Sequence, residues 1–206
     1  QRRGLDSTRA QYHVSGAQYR VFRKLKPEPL FAEGAAKTHF SWHMLTGGNA
    51  FDVFSPEKLK EETVRHPLRE APRMRDNFTR LNFGWLGYFL PDGKTVGTQP
   101  DQIEFVTGKA AAWDCPVSLQ ADPDRLARHP RTADILEVFR RWEEVRACRW
   151  LTGEQKQMLR DPGREFILLL DEKGAFELVP YERVATVAGG GREVIVYLFE
   201  RKGALY

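Results

Sequence analysis

Short apolar runs alternate with helical patterns along most of the chain, and this order constrains the fold more than any other feature. Residues 11–25, 100–113 and 135–145 carry apolar side chains at the three- and four-residue spacing of helices. The short apolar runs typical of buried strands are residues 30–32, 81–86 and 116–119. Helical and strand patterns that alternate in this way predict parallel βα units.

The length of the alternating part indicates how many such units it holds. A complete (β/α)8 barrel takes roughly 250 residues, about 30 for each unit, so residues 1–162 would form half of one. From residue 163 the pattern changes to an antiparallel hairpin, with strands at 166–170 and 175–179 joined by a turn. The sequence therefore predicts an α/β fold, a partial (β/α)8 barrel over residues 1–162 followed by the start of an antiparallel β domain over residues 163–206.

Both ends of the sequence influence this prediction. The chain begins at Gln1 without an initiator Met or signal pattern, and it closes on a strand pattern, residues 194–199, whose partner has barely begun. We therefore expect a segment of a longer protein, in which the N-terminal half of the barrel is its missing partner. The segment gives no indication of its compartment.

Composition excludes several classes of protein. With 41% hydrophobic and 12% aromatic residues, the chain has enough apolar surface for a packed core. The 32 basic and 28 acidic residues give a net charge of only +4 and are interspersed, so we expect solvated faces and no nucleic-acid partner. No run of about 18 apolar residues predicts a membrane span. Two cysteines form no metal knuckle, no phosphate-binding loop is present, and we expect no cofactor.

Several segments resemble a known family of enzymes. The run Pro29-Leu30-Phe31-Ala32-Glu33-Gly34-Ala35, with Phe40-Ser41-Trp42-His43 after it, resembles the acid-bearing strand end of bacterial TIM-barrel glycoside hydrolases. Residues 97–106 and 110–118 look like the last helix and strand of such barrels, and Leu5-Asp6-Ser7 resembles the strand-end Asp of a neighbouring unit. The resemblance covers about residues 1–180. It implies a carbohydrate substrate and hydrolysis of glycosidic bonds by carboxylate acid/base catalysis.

Two carboxylic acids are candidates for that chemistry, which needs one protonated and one ionised carboxyl group beside the scissile bond. Glu33 ends the apolar run 30–32, and Gly34 after it permits close approach of a substrate. Apolar surroundings would raise the pKa of Glu33, as a general acid requires. Asp6 is the candidate partner. The alternatives are a surface Glu that ends a strand and an ordinary turn Asp.

Aromatic and histidine side chains are the candidates for sugar binding. Trp42 and Trp85 offer flat apolar rings on which a pyranose can stack, and Trp85 lies near the end of the run 81–86, between two glycines. His39 and His43 could donate hydrogen bonds to sugar hydroxyls. The same residues could instead be core or rim tryptophans and packed or solvated histidines. Two histidines four residues apart lack the third ligand of a metal site, so no metal is predicted.

The sequence thus predicts a segment of a glycoside hydrolase, an enzyme whose isolated fragment would be inactive. The alternative is a non-catalytic carbohydrate-binding or scaffold barrel, whose strand-end carboxylates only bind sugar. The two differ in whether two carboxyl groups face each other across a pocket. A third interpretation is a free-standing α/β protein, which would need an open sheet with covered edges.

Overall fold

The computed structural model describes residues 7–27, 47–49, 55–65, 80–189, 192–198, 200–201 and 204–205. Its helices are α1 (Ser7–Phe22), α2 (Leu59–Arg65, after a 3-10 turn at Pro56–Lys58), α3 (Pro100–Ala112), α4 (Pro123–Arg128), α5 (Thr132–Ala147) and α6 (Gly153–Arg160). Its strands are β1 (Gly47–Asn49), β2 (Arg80–Asn82), β3 (Trp85–Gly87), β4 (Ser118–Gln120), β5 (Glu165–Leu170), β6 (Phe176–Gly189), β7 (Arg192–Leu198), β8 (Glu200–Arg201) and β9 (Ala204–Leu205). The predicted mixture of helix and strand is confirmed.

The short strands of the first part pair in parallel, as the sequence predicts. β1 pairs with β2, and β3 pairs with β4, both in parallel register. Along the chain α2 lies between the first two strands and α3 between the second two, so each pair is joined by a crossover that contains a helix. Within the described residues these strands form two-stranded sheets and no closed barrel. The half-barrel therefore remains a prediction.

The predicted strand over residues 81–86 is divided in two. β2 ends at Asn82, and β3 begins at Trp85. Gly84 between them has a φ of 151°, a conformation that favours glycine and interrupts the regular strand. Backbone pairing toward β4 nevertheless extends beyond β3 at both ends, because the N–H of Phe83 donates to Pro116 (2.9 Å) and that of Tyr88 to Gln120 (3.2 Å).

Helix α3 lies at the centre of the described core. Pro100 occupies its first turn, and the Gln102 side chain accepts a hydrogen bond from the Gln99 N–H (2.9 Å). Every residue from Gln102 to Ala112 is buried. A helix buried all round belongs inside a protein, and α3 packs against α2, α5, α6 and β5.

The contact between α3 and α5 depends on a small residue facing a large one. An added Cβ at Gly108 would lie 3.1 Å from the ring of Trp142, so only glycine permits this approach. Trp142, on the apolar stripe of α5, is fully buried. Trp113 and Trp150 are partly buried and pack against the same core.

The predicted antiparallel hairpin is confirmed. β5 pairs with β6 from Glu165–Tyr181 to Leu170–Phe176, and β7 continues the sheet on the far side of β6. The Asp171 carboxylate accepts hydrogen bonds from the N–H groups of Lys173 and Ala175 (both 2.8 Å), which fixes the turn. Phe166 and Leu168 of β5 belong to the same apolar core as α3 and α5.

Charged side chains attach β5 and the segment before it to the helices. Lys60 of α2 contacts Asp101 of α3 (2.9 Å) and Glu165 of β5 (2.7 Å). Buried Lys109 of α3 donates from Nζ to the carbonyls of Asp161 and Arg164, the second at 2.8 Å. Hydrogen bonds from a charged donor are among the stronger ones in proteins. The hairpin and the segment before it are thus attached to α2 and α3 through Lys60 and Lys109.

Glu104 of α3 makes the most buried of these contacts. One carboxyl oxygen, Oε1, accepts hydrogen bonds from the main-chain N–H of Leu168 (2.5 Å) and from the Trp142 indole (2.9 Å). Arg141 donates to the Leu168 carbonyl (2.6 Å), so both polar groups of this β5 residue are satisfied by helices. Burial raises the pKa of Glu104 to about 7, although the two N–H donors act in the opposite direction.

Glu104 should therefore make stability depend on pH. In the unfolded chain its carboxyl titrates near 4.5, so the unfolded state loses its proton first as the pH rises. The free energy of unfolding should fall between about pH 4.5 and pH 7, by on the order of 3 kcal/mol from this group. Urea denaturation of wild type, Glu104→Gln and Glu154→Gln at about pH 5 and about pH 7.5 measures the effect.

The two variants should differ in slope. Glu104→Gln cannot titrate and should lose most of this fall in stability, whereas Glu154→Gln, at an exposed position on α6, should keep it. The same pH dependence in Glu104→Gln and wild type would contradict this role of Glu104.

Candidate functional site

The carboxyl ends of β3 and β4 are where this fold would place a site. In parallel β/α proteins the loops after the strands carry the functional residues. Here β3 leads into residues 88–99 and β4 into residues 121–131, which include α4. Four side chains from these connections and the start of α5 lie together behind the strand ends: Tyr88, Thr98, His129 and Thr132.

Tyr88 and Thr132 join β3 to the start of α5. Their hydroxyl oxygens are 2.5 Å apart, and Tyr88 is fully buried. The Thr132 hydroxyl also lies 2.6 Å from the carbonyl of Leu126, which can only accept. Since Thr132 has one hydroxyl proton to give and the Leu126 carbonyl takes it, the Tyr88 hydroxyl is the donor to Thr132.

His129 packs beside this pair. It is 4% exposed, and its ring centre lies 5.1 Å from that of Tyr88. Its Nδ1 accepts the N–H of Arg131 (3.0 Å), so the proton of the neutral ring is on Nε2. Nε2 is buried and has no well-formed hydrogen bond among the described residues. Burial lowers the pKa of His129 and Arg131 acts in the same direction, while the backbone of Thr98 acts against them, and the net effect favours the neutral ring.

The loop after β3 folds back onto the end of its own strand. The Thr98 hydroxyl donates to the Gly87 carbonyl (3.1 Å) and accepts the Phe89 N–H (2.9 Å), while the Thr98 N–H donates to the Phe89 carbonyl (3.0 Å). Residues 92–95 form a turn, in which the Asp92 carboxylate accepts the N–H groups of Lys94 and Thr95. Hydrogen bonds between the side chains of Thr98 and Asp92 and main-chain groups of the same loop thus fix its conformation.

Gly97 closes the loop and tolerates no side chain. Its φ is +72°, and an added Cβ would lie 2.6 Å from the nitrogen of Pro91 and 2.7 Å from the carbonyl oxygen of Phe89. Backbone atoms cannot move away without opening the loop. Gly97→Ala should therefore lower the free energy of unfolding by roughly 1–3 kcal/mol or more, measured by chemical denaturation.

The same loop offers a matched control. An added Cβ at Gly93 meets nothing within 4 Å, and its φ is not in the left-handed region. Gly93→Ala should leave stability within about 0.5 kcal/mol of wild type. Equal effects of the two substitutions would mean that the loop is not packed as described.

The two faces of the β3–β4 pair differ sharply. Leu86, which pairs with Leu119, is fully buried and belongs to the apolar core. Trp85 pairs with Ser118, and Gly87 with Gln120, on the opposite face. On that face Trp85 is 38% exposed and Gln120 is also exposed. We call these two pairs, Trp85–Ser118 and Gly87–Gln120, the open face.

Of the predicted site residues, Trp85 is the one that lies within the described residues. Trp85 is partly exposed, as sugar stacking requires, and is not a core residue. It begins β3, two residues before the carboxyl end of that strand, so its predicted place at a strand end is wrong for β3. The physical reason is the interruption at Gly84, which starts a new strand at residue 85. Glu33, Asp6, Trp42, His39 and His43 lie outside the described residues.

Several residues at the strand ends have no strong sequence signal. In the sequence, nothing distinguishes Tyr88 from other aromatic residues or His129 from any lone histidine. Only the fold brings the two together. Gln120 could have been found, because it is a polar residue at the end of the run 116–119 and precedes the helix cap Asp122. Its exposure on the same face as Trp85 follows from the parallel register, which the sequence does not give.

Three further observations limit what can be concluded about this site and this chain. Within the part of the chain that the structure describes, no three His, Cys, Asp or Glu side chains are grouped to hold a metal ion. No described helix has the length and apolar character needed to cross a membrane. Comparisons with protein-family models, with curated proteins and with solved structures found no match to this chain.

Proposed function

We propose that this chain is part of a (β/α)8-barrel glycoside hydrolase. Residues 1–162 would supply the C-terminal half of the barrel, with Glu33 as acid/base and Asp6 as its possible partner. Trp42, Trp85, His39 and His43 would hold the sugar, and residues 163–206 would begin a β domain. The other half of the barrel would come from a part of the protein outside this chain.

The exposed tryptophan on the open face is the observation that carries the proposal. Phe83, Leu86 and Tyr88 around it are fully buried, whereas Trp85 keeps 38% of its surface exposed. Leaving a large aromatic side chain at the surface forgoes the free energy of burying it. In a barrel, the strand face turned away from the helices is the interior, whose carboxyl end opens onto the substrate. Trp85 lies on that face two residues before the carboxyl end of β3, so its ring is suited to stacking against a sugar bound at that end.

The surface of α1 supports the presence of further barrel units. Val14 and Val21, seven residues apart on one side of the helix, are each more than half exposed. The outer helices of a barrel bury one apolar stripe against strands and neighbouring helices. An additional unit packed beside α1 would cover this stripe.

The carboxyl chemistry can be tested at Glu33 in the full-length protein. Glu33→Gln keeps the size of the side chain but cannot donate the proton that a leaving alcohol needs. Turnover of an unactivated glycoside should fall by roughly 10²- to 10⁴-fold, and that of a substrate with a good leaving group by much less. Steady-state kinetics on both substrate types measures the difference.

Glu28→Gln is the matched control, because Glu28 lies five residues earlier, between two prolines. It should leave turnover of both substrates unchanged. If the protein binds oligosaccharides but neither wild type nor variant releases sugar, the hydrolase proposal fails and a carbohydrate-binding barrel is the better interpretation. Equal turnover by wild type and Glu33→Gln would move the acid role to another residue.

A further inference from the structure

We infer that Trp85 and Gln120 together form one subsite for a neutral pyranose ring, with Trp85 as the stacking platform and the Gln120 amide as the hydrogen-bonding group. The inference rests on the proposed function, because it takes the ligand to be that enzyme's carbohydrate. It adds a binding residue and the chemical class of the sugar.

Strand register places the two side chains together. Gln120 pairs with Gly87, two residues after Trp85 on the same face. With a rise of about 3.3 Å per residue and about 4.8 Å between strands, the Cα atoms of Trp85 and Gln120 are roughly 8 Å apart. Gly87, the last residue of β3, adds no side chain to this face. The strands therefore leave room for a ring over Gly87, beside the indole and within reach of the amide.

Both groups are available for a ligand. Neither the Trp85 indole N–H nor the Gln120 amide has a hydrogen-bond partner in the described part of the chain, and both side chains are exposed. An amide offers donors and an acceptor in one plane, which suits two adjacent hydroxyl groups of a sugar. An aromatic ring binds the apolar C–H face of the same sugar.

The absence of charged residues on the open face favours one class of sugar. Its four residues, Trp85, Gly87, Ser118 and Gln120, are uncharged. Asp122, two residues after Gln120, pairs with Arg125 (3.1 Å). No cation of the open face could compensate a sugar carboxylate, whose desolvation would then cost free energy. The subsite therefore favours a neutral pyranose over a uronic acid.

The test uses the full-length protein and calorimetric titration with a panel of neutral and uronic-acid-containing oligosaccharides. Gln120→Ala should weaken binding of the preferred neutral ligand about tenfold, the loss expected for about one to two hydrogen bonds. Trp85→Ala should weaken it about 10- to 100-fold. Gln157→Ala, which removes an exposed glutamine on α6, should change nothing.

A spectroscopic readout separates contact from a structural effect. Ligand binding should change the fluorescence of wild type and Gln120→Ala, and most of that change should be absent in Trp85→Phe. Thermal melts should be unaltered in Gln120→Ala, because its side chain is exposed. Wild-type affinity in Gln120→Ala, or a wild-type fluorescence change in Trp85→Phe, would overturn the subsite, as would a preference for uronic acids.

The outcomes distinguish this inference from the proposed function. Normal sugar binding by Gln120→Ala and Trp85→Ala, together with lost turnover in Glu33→Gln, would remove the subsite and support the hydrolase. Weakened binding in both open-face variants, with no hydrolysis by wild type, would support the subsite and remove the hydrolase.

Discussion

A single buried carboxyl oxygen on α3 joins the helices to the β hairpin. Oε1 of Glu104 accepts one hydrogen bond from α5, through Trp142, and one from β5, through the Leu168 N–H. Removing Glu104 would leave both N–H donors buried without an acceptor, which costs more than the hydrogen bonds contribute when made. The carboxyl is itself destabilised by burial when ionised, so the contact holds the elements in register at some cost in stability.

The same apolar core covers one face of the first strands. α3 and α5 pack against β5, and Leu86 of β3 is buried in the core that these elements share. On the opposite face of the strand pair, Trp85 and Gln120 are exposed. The network of Tyr88, Thr132 and Thr98 then fixes the loops that follow those strands. A rigid support of this kind is what a binding site on strands requires.

Local signals made most elements predictable from the sequence. The helical spacing over residues 100–113 predicted α3, and the strand patterns on either side of a turn after residue 170 predicted the hairpin; both are confirmed. Each depends on hydrogen bonds within a few residues, which the sequence encodes directly. The division of the strand at Gly84 was missed, because an isolated glycine in an apolar run does not reveal its φ angle.

The candidate site was predictable only where it depends on residue type. The two glycines beside Trp85 indicated room around its ring, and Trp85 is 38% exposed, whereas its sugar-binding role stays a prediction. The pairing of Gly87 with Gln120 depends on the register of two strands about 30 residues apart, and no local pattern specifies it. For the same reason Glu104 reads as an ordinary polar residue of a helix, although it lies at the centre of the core. Its role requires Leu168, 64 residues later, to be folded against it.

The contrast between Glu104 and Glu33 shows why a perturbed pKa alone does not identify a catalytic acid. Burial raises the pKa of Glu104 to about 7, the value that general acid catalysis favours. Its Oε1, however, is occupied by two N–H donors, and the residue is only 3% exposed, so no substrate can reach it. A catalytic carboxyl needs both a raised pKa and access to the scissile bond. Among parallel strands, access is found at the carboxyl ends on the face opposite the helices. Glu104 lies on a buried helix and cannot meet that condition, which leaves the acid role in the proposed enzyme to a strand-end residue.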